Sequence, residues 1–423
     1  MTEETKESEP VAESLNATLR FEDMKLGFPD VCVRCANCMN VCPVSRVTPA
    51  FPGPKQAGPG AQRFRSEAEI SVDGWINLCT GCRLCDTVCP SGVPISEMNL
   101  LARAKYLNDH GRKFRDWLLA RSDLYGGLGA CAAGIVNPLM KNASFHKLFD
   151  LLLGIDKRAV LPAYERQTFI EWFRKRIVSD GFSGSGRVAY FHGCFINTNE
   201  TDVGKSVVAL LEAQGFEVII PPQNCCGLPR LAIGDLKGAR EVGRRNIAAF
   251  LPIVRQGMDI VFSSTSCGLM LRHNYDTLLN LPGAQEMAAH LFDISEFLLR
   301  LHDEKKWRLC FRPLKIKVAY FAPCHLRALN IGLPASELLR LVPDLEVHIV
   351  DADCCGLGGL YGFKKENFAV SEEIGKDMLK AVKRLDPEMV LTDCEGCRMQ
   401  IRRLTGLPVI HPVQLLRDSL LTG

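Results

Sequence analysis

The chain has 423 residues, 47% of them hydrophobic and 23% charged, with a formal net charge of +3 and 19 cysteines. That length and balance suit a soluble protein with two or three cores, and the cysteines of so long a chain point to metal ligation in a reducing compartment, not to a disulfide-stapled domain. The small net charge carries no argument for nucleic acid, and no basic stripe with interleaved aromatics appears, so no nucleic-acid partner is expected.

The chain opens on MTEETKESEPVAESLNATLR. It lacks a basic n-region and an apolar h-region, so no signal peptide is expected and the cytoplasm is the default location. Residues 1–30 read as a disordered acidic leader. Residues 31–110 carry Cys32, Cys35, Cys38 and Cys42, spaced C-x₂-C-x₂-C-x₃-C and followed by Pro43. The same spacing returns at Cys79, Cys82, Cys85 and Cys89, followed by Pro90. Three closely spaced thiolates grip three corners of one iron-sulfur cubane, while the turn at proline carries the fourth to the other cluster. The ligands therefore pair crosswise. Cys32, Cys35, Cys38 and Cys89 take the first [4Fe-4S] cluster, and Cys79, Cys82, Cys85 and Cys42 the second. Zinc is disfavoured, because its ligands come as two separated pairs. With both clusters bound the net charge falls to about −1, since each four-thiolate cubane adds about −2. Between the motifs, PVSRVTPAFPGPKQAGPG cannot be a regular helix or a central strand, and an extended loop is expected.

Residues 111–180 form a helical linker, after a first helix over Ile95 to Asn108. A second helix is expected over Phe114 to Ser122. The sequence GGLGACAAG, from Gly126 to Gly134, follows a helix instead of a strand, so it is not a dinucleotide loop. Leu124 to Met140 has no charged residue, and its 17 positions include four glycines and a proline. It is a poor spanning helix. Flanked by Lys113, Arg115, Arg121, Lys141, His146 and Lys147, with Trp117 and Phe145 nearby, it fits an interfacial membrane contact or a buried apolar loop.

Beyond Gly181 short β-rich runs alternate with helices, an α/β region that is an internal repeat, residues 181–310 and 311–423. VAYFHGCFIN at Val188 lies over VAYFAPCHLR at Val318, NCCGLP at Asn224 over DCCGLGG at Asp353, and STSCGLML at Ser264 over CEGCRMQI at Cys394. Strands are expected over Arg187–Phe191, Glu217–Ile220 and Asp259–Phe262, then over Ile316–Phe321, Leu345–Val350 and Glu388–Leu391. Each stops just before a cysteine motif, at the carboxyl ends where α/β sheets collect ligands. The second repeat offers Cys324, Cys354, Cys355, Cys394 and Cys397, five thiols where a cubane needs four. The first offers Cys194, Cys225, Cys226 and Cys267, with Ser264 where the counterpart of Cys394 belongs. The plainer alternative is that adjacent cysteines are small buried hydrophobes, the expectation also for the isolated Cys131 and Cys310. His192 and His325 flank the first cysteine of each repeat and are candidates to tune a redox centre.

On these residues the chain resembles the family of iron-sulfur subunits of anaerobic glycerol-3-phosphate dehydrogenases, over nearly everything from Val31 to the C-terminus. The most specific phrases are CPVSRVTPAFPGPKQAGP at Cys42 to Pro59, AYFHGCFIN, GLYGFKKEN at Gly359 to Asn367, and TDCEGCRMQI. The resemblance implies an α+β multidomain chain, a helical two-[4Fe-4S] ferredoxin-like domain followed by a duplicated α/β cysteine-rich (CCG) region. It implies an electron-transfer role, accepting electrons from flavin-containing dehydrogenase subunits and passing them to a membrane quinone, peripheral on the cytoplasmic face of the cell membrane. The wider CCG family includes heterodisulfide reductase subunits, whose five-cysteine sets hold a noncubane cluster. A further noncubane [4Fe-4S] cluster is thus implied at Cys324, Cys354, Cys355, Cys394 and Cys397. The first repeat departs from that pattern at Ser264. Two other roles share the architecture: the catalytic part of a heterodisulfide-reductase-like enzyme, and the iron-sulfur subunit of a glycolate or lactate oxidase. The chain has no flavin fingerprint and no proton-abstracting constellation, so it is expected to oxidise no substrate itself.

Overall fold

A computed structural model of the chain describes residues 31–176 and 184–421, and the acidic leader expected over residues 1–30 lies outside them. The repeat folds into two four-stranded parallel sheets of the same strand order. The first contains β1 (Gly186–Phe191), β2 (Phe216–Ile219), β3 (Ile260–Phe262) and β4 (Leu291–Asp293), ordered β2-β1-β3-β4. The second contains β5 (Lys317–Tyr320), β6 (Glu346–Ile349), β7 (Met389–Leu391) and β8 (Val409–Ile410), ordered β6-β5-β7-β8. β4 and β8 escape the sequence pattern. They are three and two residues long and run straight into helices, which Asp293 and His411 start with capping boxes.

Side chains alternate across each strand and so feed two cores. Val188 and Tyr190 of β1 share one core with Val318 and Tyr320 of β5, whereas Ala189 and Phe191 face one outer core and Ala319 and Phe321 another. The shared core holds helices from both halves. Thr201–Ala213, after β1, packs on Pro412–Asp418, after β8; Ile294–Asp303, after β4, packs on Pro334–Leu339, after β5. The halves are therefore related by a local two-fold exchange. Arg398, 1% exposed, crosses between them to Glu200 and donates to Thr392 O at 3.0 Å.

The N-terminal cysteine region is centred on helix Ile95–His110, whose first ten residues are buried. The proline-rich stretch before it is not extended throughout, as expected, because Gln56–Gly60 form a π-helical turn enclosing Pro59. A wider turn tolerates a residue without an N–H, and the close approach of Gly58 to Ile95 draws the segment into the core. Past Gly111 run four short helices, Phe114–Leu119, Ser122–Cys131, Ala133–Lys141 and Ala143–Leu153. Arg115 ties this arm to Glu366 at 2.7 Å and Arg121 ties it to Asp235 at 2.7 Å, so it is clamped to both halves.

Leu124 to Met140 is not a loop, and only Gly126, Ala130 and Ala133 of it are buried. It is split at Ala132 into helices of 10 and 9 residues, each about 15 Å long, about half a hydrocarbon core. Among the described residues no helix is long and apolar enough to cross a membrane. Two glycines of GGLGACAAG serve close packing: a Cβ on Gly126 would lie 3.2 Å from Thr198, and one on Gly129 2.7 Å from Tyr164. Cys131 and Cys310 are exposed, so the expectation that they fill cores fails.

Candidate metal centres

Each N-terminal motif wraps its second cysteine between two left-handed residues. Arg34 and Ala36 flank Cys35 at φ 59° and 65°, and Gly81 and Arg83 flank Cys82 at φ 69° and 64°. Three of these four carry a Cβ, whose cost in that conformation is of order 1 kcal/mol each. Such conformations turn successive N–H groups into a concave nest for an anionic group. A short helix follows in each motif, Asn37–Asn40 and Leu84–Thr87, placing Cys38 and Cys85 in their buried sites.

Burial pushes the Cys38 thiol up, and the Cys32, Cys89 and Cys35 sulfurs beside it push it further, so both motifs contribute to that group. Cys42 joins Cys79, Cys82 and Cys85 in the wall of a cavity of about 340 Å³, counted to its mouth, with Phe51 and Asn99. Burial drives Cys82 up to about 12, opposed by a Leu84 N–H. Among the described residues no three ligating side chains close on one point as a single metal ion requires. A cubane makes no such demand, since each thiolate holds its own corner.

Helix Ile95–His110 supplies polar groups that the sequence pattern did not single out. Asn99 Nδ2 donates to Cys79 Sγ at 3.7 Å, and Arg103 donates to Cys79 O, to Ile76 O at 3.1 Å and to Ala232 O at 3.0 Å. Buried Glu97 accepts from Arg83 at 2.9 Å and from Thr277 at 2.7 Å, joining the second motif to the first repeat. The signal that could have found them was a run of polar residues at inward positions of a helix directly after C-x₂-C-x₂-C-x₃-C-P.

In both repeats every candidate cysteine stands at or just past the carboxyl end of a strand. Cys324 opens a helix after β5, Cys354 and Cys355 follow β6, Cys394 caps a helix after β7, and Cys397 lies in its first turn. Cys397 Sγ is 3.2 Å from Cys355 Sγ. Burial raises the Cys324 thiol, and the sulfurs of Cys354, Cys82, Cys355 and Cys394 raise it further. All five thiols thus meet, and Cys82 of the N-terminal region meets them too. In the first repeat Cys194 and Cys225 lie 3.7 Å apart, and Cys226 bonds to Cys225 and Cys267. Ser264 occupies the cap position equivalent to Cys394. Its hydroxyl accepts from Cys267 N at 3.4 Å and donates to Glu395 at 3.0 Å, across to the other repeat.

The glycine after each cysteine pair is dictated by geometry. Gly227 and Gly356 both have φ 92°, and each donates its N–H to the first sulfur of its pair at 3.4 Å. His192 and His325 are both lowered to about 4, chiefly by burial, and are neutral at physiological pH. His192 Nδ1 pairs with Gly193 O at 2.6 Å, and His325 Nδ1 with Ser266 at 3.0 Å.

Residues 29–93 match the family model described as a 4Fe-4S dicluster domain, and residues 188–272 and 318–402 each match the cysteine-rich domain model. A subunit of the anaerobic glycerol-3-phosphate dehydrogenase of Escherichia coli K12 is 37% identical over 92% of this chain and 98% of its own length. A subunit of the fumarate reductase (CoM/CoB) of Methanothermobacter marburgensis is 28% identical over 88% of this chain and 67% of its own. The probable glycolate oxidase iron-sulfur subunit of Bacillus subtilis is 26% identical over 88% of each. Dicluster motifs, duplicated sheets and full-length similarity agree: the chain is an iron-sulfur subunit of an oxidoreductase complex, and it belongs to the same family as the Escherichia coli anaerobic glycerol-3-phosphate dehydrogenase polypeptide.

Proposed function

We propose that the chain carries electrons from a flavin-containing glycerol-3-phosphate dehydrogenase partner to a membrane quinone, docked peripherally on the cytoplasmic face of the cell membrane. The observation that carries this reading is the position of Cys82. It lies in one cavity wall with Cys42 and Cys79 and also beside Cys324 and Cys354, and Cys42 and Cys354 share a single hydrophobic core with Phe51 and Ile374. In this reading Cys32, Cys35, Cys38 and Cys89 hold one [4Fe-4S] cluster and Cys79, Cys82, Cys85 and Cys42 the other. Cys324, Cys354, Cys355, Cys394 and Cys397 hold a noncubane [4Fe-4S] cluster. Bound clusters supply one-electron redox chemistry. Cys194, Cys225, Cys226 and Cys267 form a further thiol group, but the hydroxyl at its fifth position is committed to Glu395, so a third cluster is assigned to the second repeat alone.

Protein groups tune these sites by hydrogen bonds to sulfur and by exclusion of water. Ser45 N donates to Cys42 at 3.5 Å and Val93 N to Cys89 at 3.3 Å. Cys35 is the one exposed thiol of the eight, beside exposed Val31 and Val33, a surface suited to the flavoprotein. Purification of the chain from its native cells recovers a flavoprotein, and glycerol 3-phosphate then bleaches the iron-sulfur absorbance. Bleaching by glycolate or lactate instead, or thiol-disulfide reductase activity without any flavoprotein, overturns this reading for one of its competitors.

The membrane contact rests on the arm. Leu128, Ile135, Leu151 and Leu152 are 68–80% exposed, and helix Ala143–Leu153 has no buried residue. Apolar exposure on successive helices, flanked by Lys141 and Lys147, fits an interfacial contact. Leu151→Glu with Leu152→Glu abolishes flotation with liposomes of anionic lipid; equal recovery of variant and wild type removes the membrane contact.

A further inference from the structure

Helix Ile95–His110 carries a buried cation with no carboxylate of its own. Arg103 is 6% exposed, and among the described residues its donors reach only carbonyl oxygens: Cys79 O, Ile76 O at 3.1 Å and Ala232 O at 3.0 Å. Its Nε has no partner. Asp116, the carboxylate that acts on it, is already held by Arg115 and Lys364, each at 3.1 Å. Asp86, 3.5 Å from the Cys85 sulfur, pairs with Arg83 at 3.3 Å, and Glu97 shares that arginine at 2.9 Å. An isolated buried charge is costly, so Arg103 calls for an anion that no carboxylate supplies.

A second group reaches the same place from the second repeat. The run CGLGGLY, from Cys355 to Tyr361, folds back on the second cysteine motif: Gly358 and Gly359 are left-handed at φ 58° and 61°, and a Cβ on Gly358 would lie 3.0 Å from Thr80. Gly362 N donates to Leu357 O at 2.8 Å, which closes the loop and sets Tyr361 in a 3₁₀ turn. Tyr361 is 6% exposed, and its hydroxyl has no hydrogen-bond partner. Burial raises the phenol, so it stays protonated and able to donate, and the charges around it are the Arg103 guanidinium and the sulfurs of Cys79, Cys42 and Cys354. Asn99 Nδ2 adds a third donor, 3.7 Å from Cys79 Sγ. Donors without acceptors, grouped about Cys79 with an unpaired positive charge, suit an anionic cluster. Resting on the crosswise cluster assignment above, we propose that Arg103, as internal counter-ion, and the Tyr361 hydroxyl together raise the reduction potential of the [4Fe-4S] cluster held by Cys42, Cys79, Cys82 and Cys85.

The ligands of the other cubane have different surroundings. The charges that act on Cys38 are the sulfurs of Cys32, Cys89 and Cys35, and Val93, Ile95 and Met98 share its core. Each electron received by a cluster adds one negative charge, so a fixed cation and hydrogen bonds to sulfur favour the reduced state where they stand. Arg103 and Tyr361 stand where the second motif meets Cys354, and they stabilise an electron on the centre beside the second repeat. The electron comes from the flavoprotein partner and leaves toward the five-thiol group of that repeat. No covalent bond forms or breaks, and neither residue gives up its proton.

The test is an EPR-monitored redox titration of the iron-loaded full chain, in which the signal lost in Cys79→Ser marks the cluster concerned. Arg103→Gln removes the charge and keeps an N–H donor for the carbonyls. It lowers the midpoint of that signal by about a tenfold change in the reduction equilibrium, about 59 mV for one electron, and leaves the other cubane's midpoint in place. Arg103→Lys keeps the charge and restores the midpoint. Tyr361→Phe removes an oxygen that no other protein group uses, so folding is unaffected, and it lowers the same midpoint by about a threefold change in that equilibrium. Should Arg103→Gln lose the signal, Tyr361→Phe decides alone. Unchanged midpoints with both cubane signals present overturn the roles of Arg103 and Tyr361 and leave the cluster assignment standing. A wild-type chain without two cubane signals overturns the assignment and these roles together.

Discussion

Replacing Cys38 with Ser lowers the iron of the full chain from about twelve atoms to about eight and removes one of its two cubane EPR signals. Cys38 is 8% exposed and faces the sulfurs of Cys32, Cys35 and Cys89, so a hydroxyl there leaves one cluster corner without a thiolate in a site that water cannot easily enter. The crosswise assignment makes the sharper demand. Cys89→Ser must erase the same signal as Cys38→Ser, although fifty-one positions separate the two, while Cys42→Ser erases the signal lost in Cys79→Ser. Spectra in which Cys89 pairs with Cys79 would refute it. Wild-type iron near eight removes the third cluster from the proposal, and iron near sixteen adds one to the first repeat.

Gly356→Ala is the most damaging small substitution expected in the second repeat. At φ 92° its new Cβ lies 2.2 Å from Ser371 O and 2.9 Å from Gly375 N, both backbone atoms of the 21-residue helix Lys365–Leu385. Neither atom can retreat without bending that helix, and the Gly356 N–H to Cys354 is lost in any escape. The loss of stability exceeds about 4 kcal/mol, and the chain is recovered without its second-repeat iron. Gly359→Ala, at φ 61° with open space around the Cβ, costs about 1 kcal/mol. Urea midpoints and iron content of the two variants make the comparison. Equal shifts would mean that packing against the long helix does not hold the cysteine pair.

Much of this architecture was legible because cluster chemistry leaves rigid spacings. The eight N-terminal cysteines, the two repeats and the strands preceding each cysteine pair all follow from local pattern. What escaped depends on partners distant in sequence. β4 and β8 are too short to form a run, and they exist because β3 and β7 offer them a free edge. The π-helical turn at Gln56–Gly60 is held by packing on Ile95, which no proline count anticipates. One acceptor of Arg103 and one donor to Glu97 lie in the first repeat, at Ala232 and Thr277, so their inward positions looked like ordinary helix polarity. Ser264 was visible as a departure, but its bond to Glu395 required the two halves to be placed face to face.

The helix Ile95–His110 touches three separate cores, and that has a consequence for biosynthesis. Its Leu100 and Leu101 belong with Cys225, Cys226 and Cys267, its Ala102 with Cys354 and Ile374, and its Ile95 and Met98 with Cys38 and Cys85. The cysteine motifs leave the ribosome before the walls that enclose them. Arg83 waits for Asn274, and Arg115 for Glu366. Until then the eight thiols are open to oxygen and to stray metals, and loop closure over such separations is slow. Enclosure of these thiols is thus expected only once both repeats have folded, and a chain truncated after the first repeat is expected to leave its first centres unsealed.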